Sequence, residues 1–442
     1  MTLRPLLAGL AFDPHATRAL PPIAALVLVA AQAVQAVQVV EAAPEPPAIE
    51  VVAGVRHVRN GSEPLAGERT LRLEELWSVN VDEEEELIGV LSSAISGSAG
   101  TLWLTDNQLG QVLVYSATGE HLRTLSREGE GPGELNHPQG MFWLPDGGLG
   151  IQDRKRGQLT RIDAGGVPLS SIQLAAQDGQ RLSTSSIQDV RCRGGVLAVS
   201  GMQFGNREDG KPFQSRYLGI FDLTGNEIAR LREKPAGFDF AGSYDESVDW
   251  FPSRNLFDLD AAGRLHVAAG RDLYRIVVHD PGGAQVGVIE RAYEPRRRTA
   301  EEKDEVRANV TMWVNGREVK VESKVLETVA PIQALQILDD GMLWVTNGHG
   351  MKPAEPGAAR SCDLFDAEGR FQEVVHVAVA MDPDQDRLIH LDDGRWILLR
   401  NVRAAWNAMY GRNDEDAEDA DAADTADAAE DAALKIVCLR GE

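Results

Sequence analysis

The stretch most suggestive of chemistry is Gly129–Met141, GEGPGELNHPQGM, because glycines crowd in this way where a backbone cradles phosphate. Gly129 and Gly131 have the spacing of a dinucleotide loop, but the third glycine position falls on Glu134. The following LNHPQGMFWLPDGGLGI carries two prolines and a Gly-Gly turn, so no helix N-terminus is available to hold a phosphate. Walker-type Gly-Lys-Ser/Thr spacing is absent from the chain, and the segment reads as a turn. Asp382–Asp386, DPDQD, opens like a calcium loop, yet Arg387 stands at its glycine position and Asp393 at its last ligand position. His266, His349, His376 and His390 lack zinc spacing, and ISGSAG lacks the first glycine of a nucleophile elbow.

The elements around these residues repeat. Six glycine-led apolar runs begin at Gly100 (GTLWLTD), Gly148 (GLGIQD), Gly195 (GVLAVS), Gly263 (GRLHVA), Gly341 (GMLWVT) and Gly394 (GRWILL), at spacings of 48, 47, 68, 78 and 53 residues. Each is a short strand entered by a tight turn, and a second turn follows in each unit at Gly119, Gly165, Gly225, Gly282, Gly369 and Gly441. A unit of four short strands and two tight turns, repeated in series, predicts an all-β, six-bladed β-propeller of four-stranded antiparallel blades. The last unit stops at CLRGE without an outermost strand, and RTLRLEELWSV, Arg69–Val79, has strand-like alternation. Laid beside the C-terminal strand, it would close the ring and cover exposed edges.

GEGPGELNHPQGMFWLPDGGLGIQDRKRGQLTRIDAGG resembles the NHL-repeat type of six-bladed propeller at Gly131, Pro132, Gly133, Pro138, Gly140, Asp153, Arg161 and Gly165. Arg275 keeps the arginine of that pattern in LYRIVVHDPGG, whereas Val114 replaces it in QVLVYSATG. Some propellers of this shape are lyases or lactone hydrolases with an axial divalent metal. The resemblance therefore makes Asp106, Asp153, Asn347 and Asn401, with His349 close by, the candidate ligands for calcium or another divalent cation. In NHL-like repeats the Asp at this position instead braces the next turn with Asx-type hydrogen bonds, which is the expectation preferred here, with no cofactor.

The long segments are Gly201–Ser215, Asn347–Ser361 and Asn401–Ala433 between second and third strands, and Glu233–Arg254 and Arg291–Pro331 between blades. In a propeller all of these lie on one face, which is the expected recognition surface. Two of them offer Phe238, Phe240, Tyr244 and Trp250, and Trp406 and Tyr410, either as rings that pin the loops down or as a lined ligand mouth. Within 291–331, Thr299 and Glu302 spell a capping box opening a helix, and an Asn-Gly turn at Asn315 marks a hairpin. The acidic run 413–432 reads as a solvated, disordered loop.

A net charge of -24 over 442 residues argues against nucleic acid as a partner, although ten acids fall within 413–432. At the N-terminus, Arg4 and Arg18 precede an uncharged run, Leu20–Val40, with small residues near Ala31 and Ala33. That pattern reads as a signal peptide over 1–40, or as a membrane anchor if it stays uncleaved. Residues 41–68 read as a linker and 69–442 as the propeller. Cys192, Cys362 and Cys438 are scattered and read as small buried hydrophobes. The sequence thus points to an exported, periplasmic or secreted monomeric binding or scaffold module for a protein, peptide or glycan. A metal-dependent enzyme is the alternative.

Overall fold

The structure, a computed structural model, describes residues 45–442 except 82–86, 207–211, 238–242, 315–316 and 411–433. The signal or anchor segment, Phe238, Phe240, Asn315 and the acidic run lie outside the described residues.

After β1 (Ala48–Val52), β2 (Val55–Asn60) and β3 (Glu68–Asn80), the chain builds one four-stranded antiparallel meander after another. The first is β4 (Leu91–Ser96), β5 (Leu102–Asp106), β6 (Gln111–Tyr115) and β7 (His121–Leu125). The second is β8 (Gly140–Trp143), β9 (Leu149–Gln152), β10 (Gln158–Ile162) and β11 (Pro168–Gln173). The third is β12 (Ser185–Arg193), β13 (Val196–Asn206), β14 (Pro212–Phe221) and β15 (Glu227–Gly237). A short β16 (Ser243–Asp245) and helix α1 (Glu246–Asp249) lead into β17 (Phe257–Leu259), β18 (Leu265–Ala268), β19 (Arg275–His279) and β20 (Gln285–Arg291). Helix α2 (Ala300–Asn309), the hairpin β21 (Thr311–Val314) and β22 (Arg317–Lys320), and β23 (Glu322–Lys324) precede β24 (Ile332–Ile337), β25 (Leu343–Asn347), β26 (Ala358–Phe365) and β27 (Phe371–Ala378). The chain ends with β28 (Arg387–His390), β29 (Trp396–Arg400), helix α3 (Val402–Tyr410) and β30 (Lys435–Gly441).

Burial follows position within each sheet. β5, β9, β18 and β25 are buried throughout, because neighbouring sheets cover both of their faces, so their sequences run apolar instead of alternating. The outermost β7 and β11 are less buried, β11 being mostly exposed, and carry His121, Arg123 and Ser170. Turn chemistry repeats as well. Asp163, Asp222 and Asp366 each accept the backbone N–H groups two and four residues on, at 2.8–3.1 Å, and Ser116 does the same with its hydroxyl. The residue three positions after each cap is Gly119, Gly166, Gly225 or Gly369, with φ between 80° and 98°, a conformation a Cβ would strain.

β3 is shared. Glu68–Arg72 pairs parallel with β27, and Leu73–Asn80 then pairs antiparallel with β30, supplying the fourth strand that the C-terminal meander lacks. A bulge at Leu76, between Glu75 and Trp77, marks the second half. Trp77 donates from Nε1 to Ala117 O (3.0 Å) and stacks on Tyr115 at 6.1 Å, which ties β3 to the first meander too.

Hydrophobic clusters fill the spaces between successive sheets. Trp103 and Ile151 join the first and second meanders, Phe142 and Tyr217 the second and third, and Leu218 and Leu265 the third and fourth. Ile276 and Phe365 join the β17–β20 and β24–β27 sheets, and Val375 and Trp396 join the latter to the C-terminal sheet. A further cluster, with Trp77, Leu104, Tyr115 and Ile397, lies between the last sheet and the first. Polar links follow the same path: Arg387 Nη1 on β28 donates to Ser92 O on β4 (2.6 Å), and Ser92 Oγ donates to Pro138 O beside β8 (2.8 Å).

Two segments differ from the sequence reading. Residues 48–60, inside the stretch read as a linker, fold as the β1–β2 hairpin, and β2 adds in parallel to β20. The cause is an unfilled sheet edge: Asn60 Nδ2 donates to Glu290 O and Gly369 O at 3.0 Å, while its Oδ1 accepts Phe371 N–H at 2.8 Å. Within Gly201–Ser215, read as a loop insertion, the described residues 201–206 and 212–215 instead prolong the β13–β14 ladder as far as Asn206 opposite Pro212. All three cysteines are free; Cys362 and Cys438 are buried and Cys192 is half-buried.

Candidate functional site

Three of the candidate metal ligands, Asp106, Asp153 and Asn347, are absorbed by turns. Asp106 ends β5 fully buried, and its carboxylate accepts the N–H groups of Gly89 (2.7 Å), Gln108 and Leu109 (both 3.0 Å) and the side chain of Gln111 (3.2 Å). Asp153 accepts Lys155 N–H and the Thr160 hydroxyl, both at 3.0 Å. Burial raises both carboxyls above their usual range, against the pull of these bonds. Asn347 Oδ1 accepts His349 and Gly350 N–H at 2.9 Å, and Asn401, with φ of 57°, immediately precedes α3. His349 faces the backbone of Glu294, 3.0 Å from its carbonyl. Among the described residues no three His, Cys, Asp or Glu side chains gather closely enough to hold a metal. At Asp106, Asp153 and Asn347 the side-chain oxygens already accept N–H or O–H donors, so these three residues are poorly suited to an axial cation.

The inter-sheet insertions form a braced platform. β16 pairs in parallel with β23, bringing the segment before β17 against the segment before β24. Asp245 caps α1 through Ser247 N–H (3.0 Å) and pairs with Lys324 (2.8 Å). The buried Glu246 then takes Arg271 (2.8 Å), Arg298 (2.6 Å) and the backbone N–H of Leu326 (2.9 Å). Burial works against the Glu246 anion, but the bonds from Arg298, Arg271 and Leu326 outweigh it and hold the carboxyl at about 2. Thr299 and Glu302 form a reciprocal capping box on α2, and Glu302 also binds Arg296 and Lys352.

Of the aromatic residues proposed to line a mouth, Trp250 packs on the cluster of Ile276 and Leu335, and Trp406 on the cluster of Trp77 and Ile397. Tyr244, in β16, is half-buried, and Tyr410 closes α3. Trp250 and Trp406 therefore anchor their loops to the sheets, which large apolar surfaces do unless a ligand covers them.

The sequence reading missed the ionic groups that link the sheets, some of them buried. Asp363, fully buried in β26, accepts the Tyr274 hydroxyl (2.5 Å), Asn347 Nδ2 (2.9 Å) and the Arg291 guanidinium. Arg193, ending β12, reaches Ile337 O (2.7 Å), Asp339 (2.5 Å) and Asp392 (3.6 Å) on two other sheets. Asp258 accepts Ile337 N–H at 2.7 Å, and burial pushes its carboxyl up to about 6. A charged residue inside an apolar strand, as in SCDLF, was the available signal.

Two cavities are lined in part by residues of the short turns, such as Gly100, Ala117, Asp340 and Gly394. One, of about 440 Å³, lies where β3 crosses between sheets and is lined by Leu76, Trp344, His390, Trp396 and Arg440 among others. The second, of about 600 Å³, shares Arg69, Asp340 and Trp344 with it and continues past Arg370 and Glu373. Both fall in the size range of small-ligand sites. His390 stacks on Trp396 at 3.8 Å and meets Trp344 edge-on at 4.6 Å. Burial, followed by the nearby Arg360, pushes the imidazole down to about 3, so the ring is neutral at ordinary pH.

No protein-family model matches the chain, and no curated protein matches it in sequence. Among solved structures it is similar to a member of the DUF4221 family from Bacteroides vulgatus, with 11% identity over 84% of this chain and 99% of that one and a TM-score of 0.43. It is also similar to a gluconolactonase from Xanthomonas campestris (14% identity, 89% and 95% covered, TM-score 0.38). A virginiamycin B lyase from Staphylococcus aureus gives 9% identity, 84% and 99% covered, and a TM-score of 0.37. At these values no residue role passes from those proteins to this chain.

Proposed function

We propose that this protein is an exported, NHL-repeat-like six-bladed β-propeller, closed into a ring by β3, that serves as a binding or scaffold module for a protein, peptide or glycan. The ring is supported by the strand that β3 lends to the C-terminal sheet and by the apolar cluster and the Arg387–Ser92 bond between last and first sheets. Export is supported by the N-terminal sequence pattern, and no helix of the described residues is long and apolar enough to cross a membrane.

The observation that carries the binding role is the platform of joined insertions. β16 and β23 come from segments on either side of the fourth sheet, and Glu246 fixes them with two arginines at once. A loop surface locked before its partner arrives loses less entropy on binding, which suits recognition. The test is binding of the purified protein to immobilised peptide and glycan panels, compared with Glu246→Gln. The expected result is a ligand whose affinity falls at least about tenfold in the variant while circular dichroism is unchanged. A ligand held equally well by both proteins would remove this surface from consideration.

A further inference from the structure

The first strands of the meanders are bonded to one another in turn. Ser92 Oγ on β4 donates to Pro138 O beside β8 (2.8 Å), Asn255 N–H before β17 to Asp189 on β12 (3.1 Å), and Ile337 N–H on β24 to Asp258 on β17 (2.7 Å). Gln336 Nε2 on β24 reaches His390 O on β28 (3.0 Å), and Arg387 Nη1 on β28 returns to Ser92 O (2.6 Å). Arg254, which ends the insertion 233–254, spans the remaining gap: Nε donates to Gln188 O on β12 (3.1 Å) and Nη2 to Gln139 Oε1 beside β8 (2.8 Å). Arg360, on β26, donates from Nη2 to Leu388 O (3.3 Å), next to Arg387 in the chain.

Arg254, Arg360 and Arg387 thus gather where these strands meet, and every acceptor they have is neutral, a backbone carbonyl or the Gln139 amide. None forms an ion pair among the described residues. The acids beside them are spent: Asp189 on Arg191 and the N–H groups of Val190 and Asn255, and Asp386 on Arg400 and the N–H groups of Asp382 and Asn401. The chain has 68 Asp and Glu against 44 Lys and Arg, so three unpaired cations kept together are not the overflow of a basic surface. Arg254 and Arg387 are exposed, which leaves them within reach of a ligand. Burial nevertheless lowers the pKa of Arg387, the charges of Arg254 and Arg360 lower it further, and no carboxylate offsets the fall. A guanidinium that protein encloses and solvent still touches lines a space between the strands, where charge is screened less than on an outer surface.

We propose that these three guanidiniums form a binding site for a phosphate or sulfate group, with Arg254 and Arg387 pairing the anion and Arg360 adding to the positive field. Arg387 and Arg360 each spend one N–H on the protein and Arg254 spends two, so each keeps donors for a ligand. A tetrahedral anion presents more oxygens than a planar carboxylate, which suits donors arriving from three sheets. The group is either the free ion or an ester on a sugar. Its position rests on the closed ring proposed above, which Trp77→Ala tests separately, and none of its residues belongs to the Glu246 platform.

The experiment is calorimetric titration of the full chain, at low ionic strength, with inorganic phosphate, inorganic sulfate, acetate and glucose 6-phosphate. Phosphate or sulfate is expected to saturate the protein at millimolar concentration or below and to bind at least about tenfold more tightly than acetate. Arg387→Gln and Arg254→Gln are each expected to weaken that anion at least about tenfold, and Glu246→Gln to leave it unchanged. Arg360→Gln, which gives up a single long bond to the protein, keeps the fold in circular dichroism and weakens the anion about threefold or more. Tighter binding of glucose 6-phosphate than of phosphate assigns the site to esters; the reverse assigns it to the free ion. No saturation by phosphate or sulfate at millimolar concentration, acetate bound as tightly, or affinity unmoved by the arginine variants with the fold retained overturns the proposal.

Discussion

Trp77→Ala measures how firmly β3 belongs to the folded unit. The side chain is 9% exposed, sits in the cluster with Leu104, Tyr115 and Ile397, and donates to Ala117 O at 3.0 Å. Truncating a buried tryptophan costs about 3–5 kcal/mol. The lost hydrogen bond adds little, because the Ala117 carbonyl sits on an exposed turn that water reaches. The residual exposure favours the lower part of that range, so the expected cost is about 3–4 kcal/mol, read by urea unfolding followed by circular dichroism and fluorescence together. Gly119→Ala provides the internal check. Its φ is 86°, and a Cβ there would lie 2.7 Å from the Trp77 ring, so backbone strain and ring displacement act together. In the Trp77→Ala background only the strain, about 1–2 kcal/mol, remains, and the two substitutions should couple by about 1 kcal/mol or more. A Trp77→Ala cost below about 1 kcal/mol, or strict additivity of the pair, would refute the reasoning that β3 is clamped between the last and first sheets.

Glu246, held at about 2 against an ordinary 4.5, contributes stability that is complete above pH 4.5 and lost as pH falls towards 2. The shift corresponds to about 3 kcal/mol, reduced to about 1–2 by solvent screening, and Glu246→Gln should flatten acid unfolding in that window. His390 titrates in the opposite chemical sense: it is buried neutral, so the unfolded chain binds its proton first, and stability should decline as pH falls from 6.5 towards 3 and be unaffected above. Ring NMR signals that move near pH 6.5 would contradict this. Asp153→Ala is expected to cost about 2–3 kcal/mol by leaving Lys155 N–H and the Thr160 hydroxyl unpaired, with no change in divalent metal measured by mass spectrometry. Metal lost without loss of stability would instead favour an axial cation.

The parts of this fold that are legible in the sequence are those decided within a few residues. A turn that needs positive φ must spend a glycine, and a preceding Asp or Ser can bind the turn's own N–H groups, so Asp163 with Gly166 or Asp366 with Gly369 announces itself. Parallel additions announce nothing. VRHVRN has too few apolar residues to declare a strand, and β2 exists because β20 offers an edge and Asn60 finds two carbonyls contributed by distant segments. The same limit applies to direction. Trp250 and Trp406 advertise a surface by their type, but whether a ring faces ligand or core depends on which cluster lies beneath it, and both turn inward. Leu76 is the converse case: alternation in RLEELWSV gives no hint of a bulge, yet the extra residue re-aims the leucine into a cavity that exists only because one strand serves two sheets. Side chains at that crossing answer to two registers at once, so a substitution shifting β3 by one residue would unpair it from β27 and β30 together and empty the cavity wall in the same step.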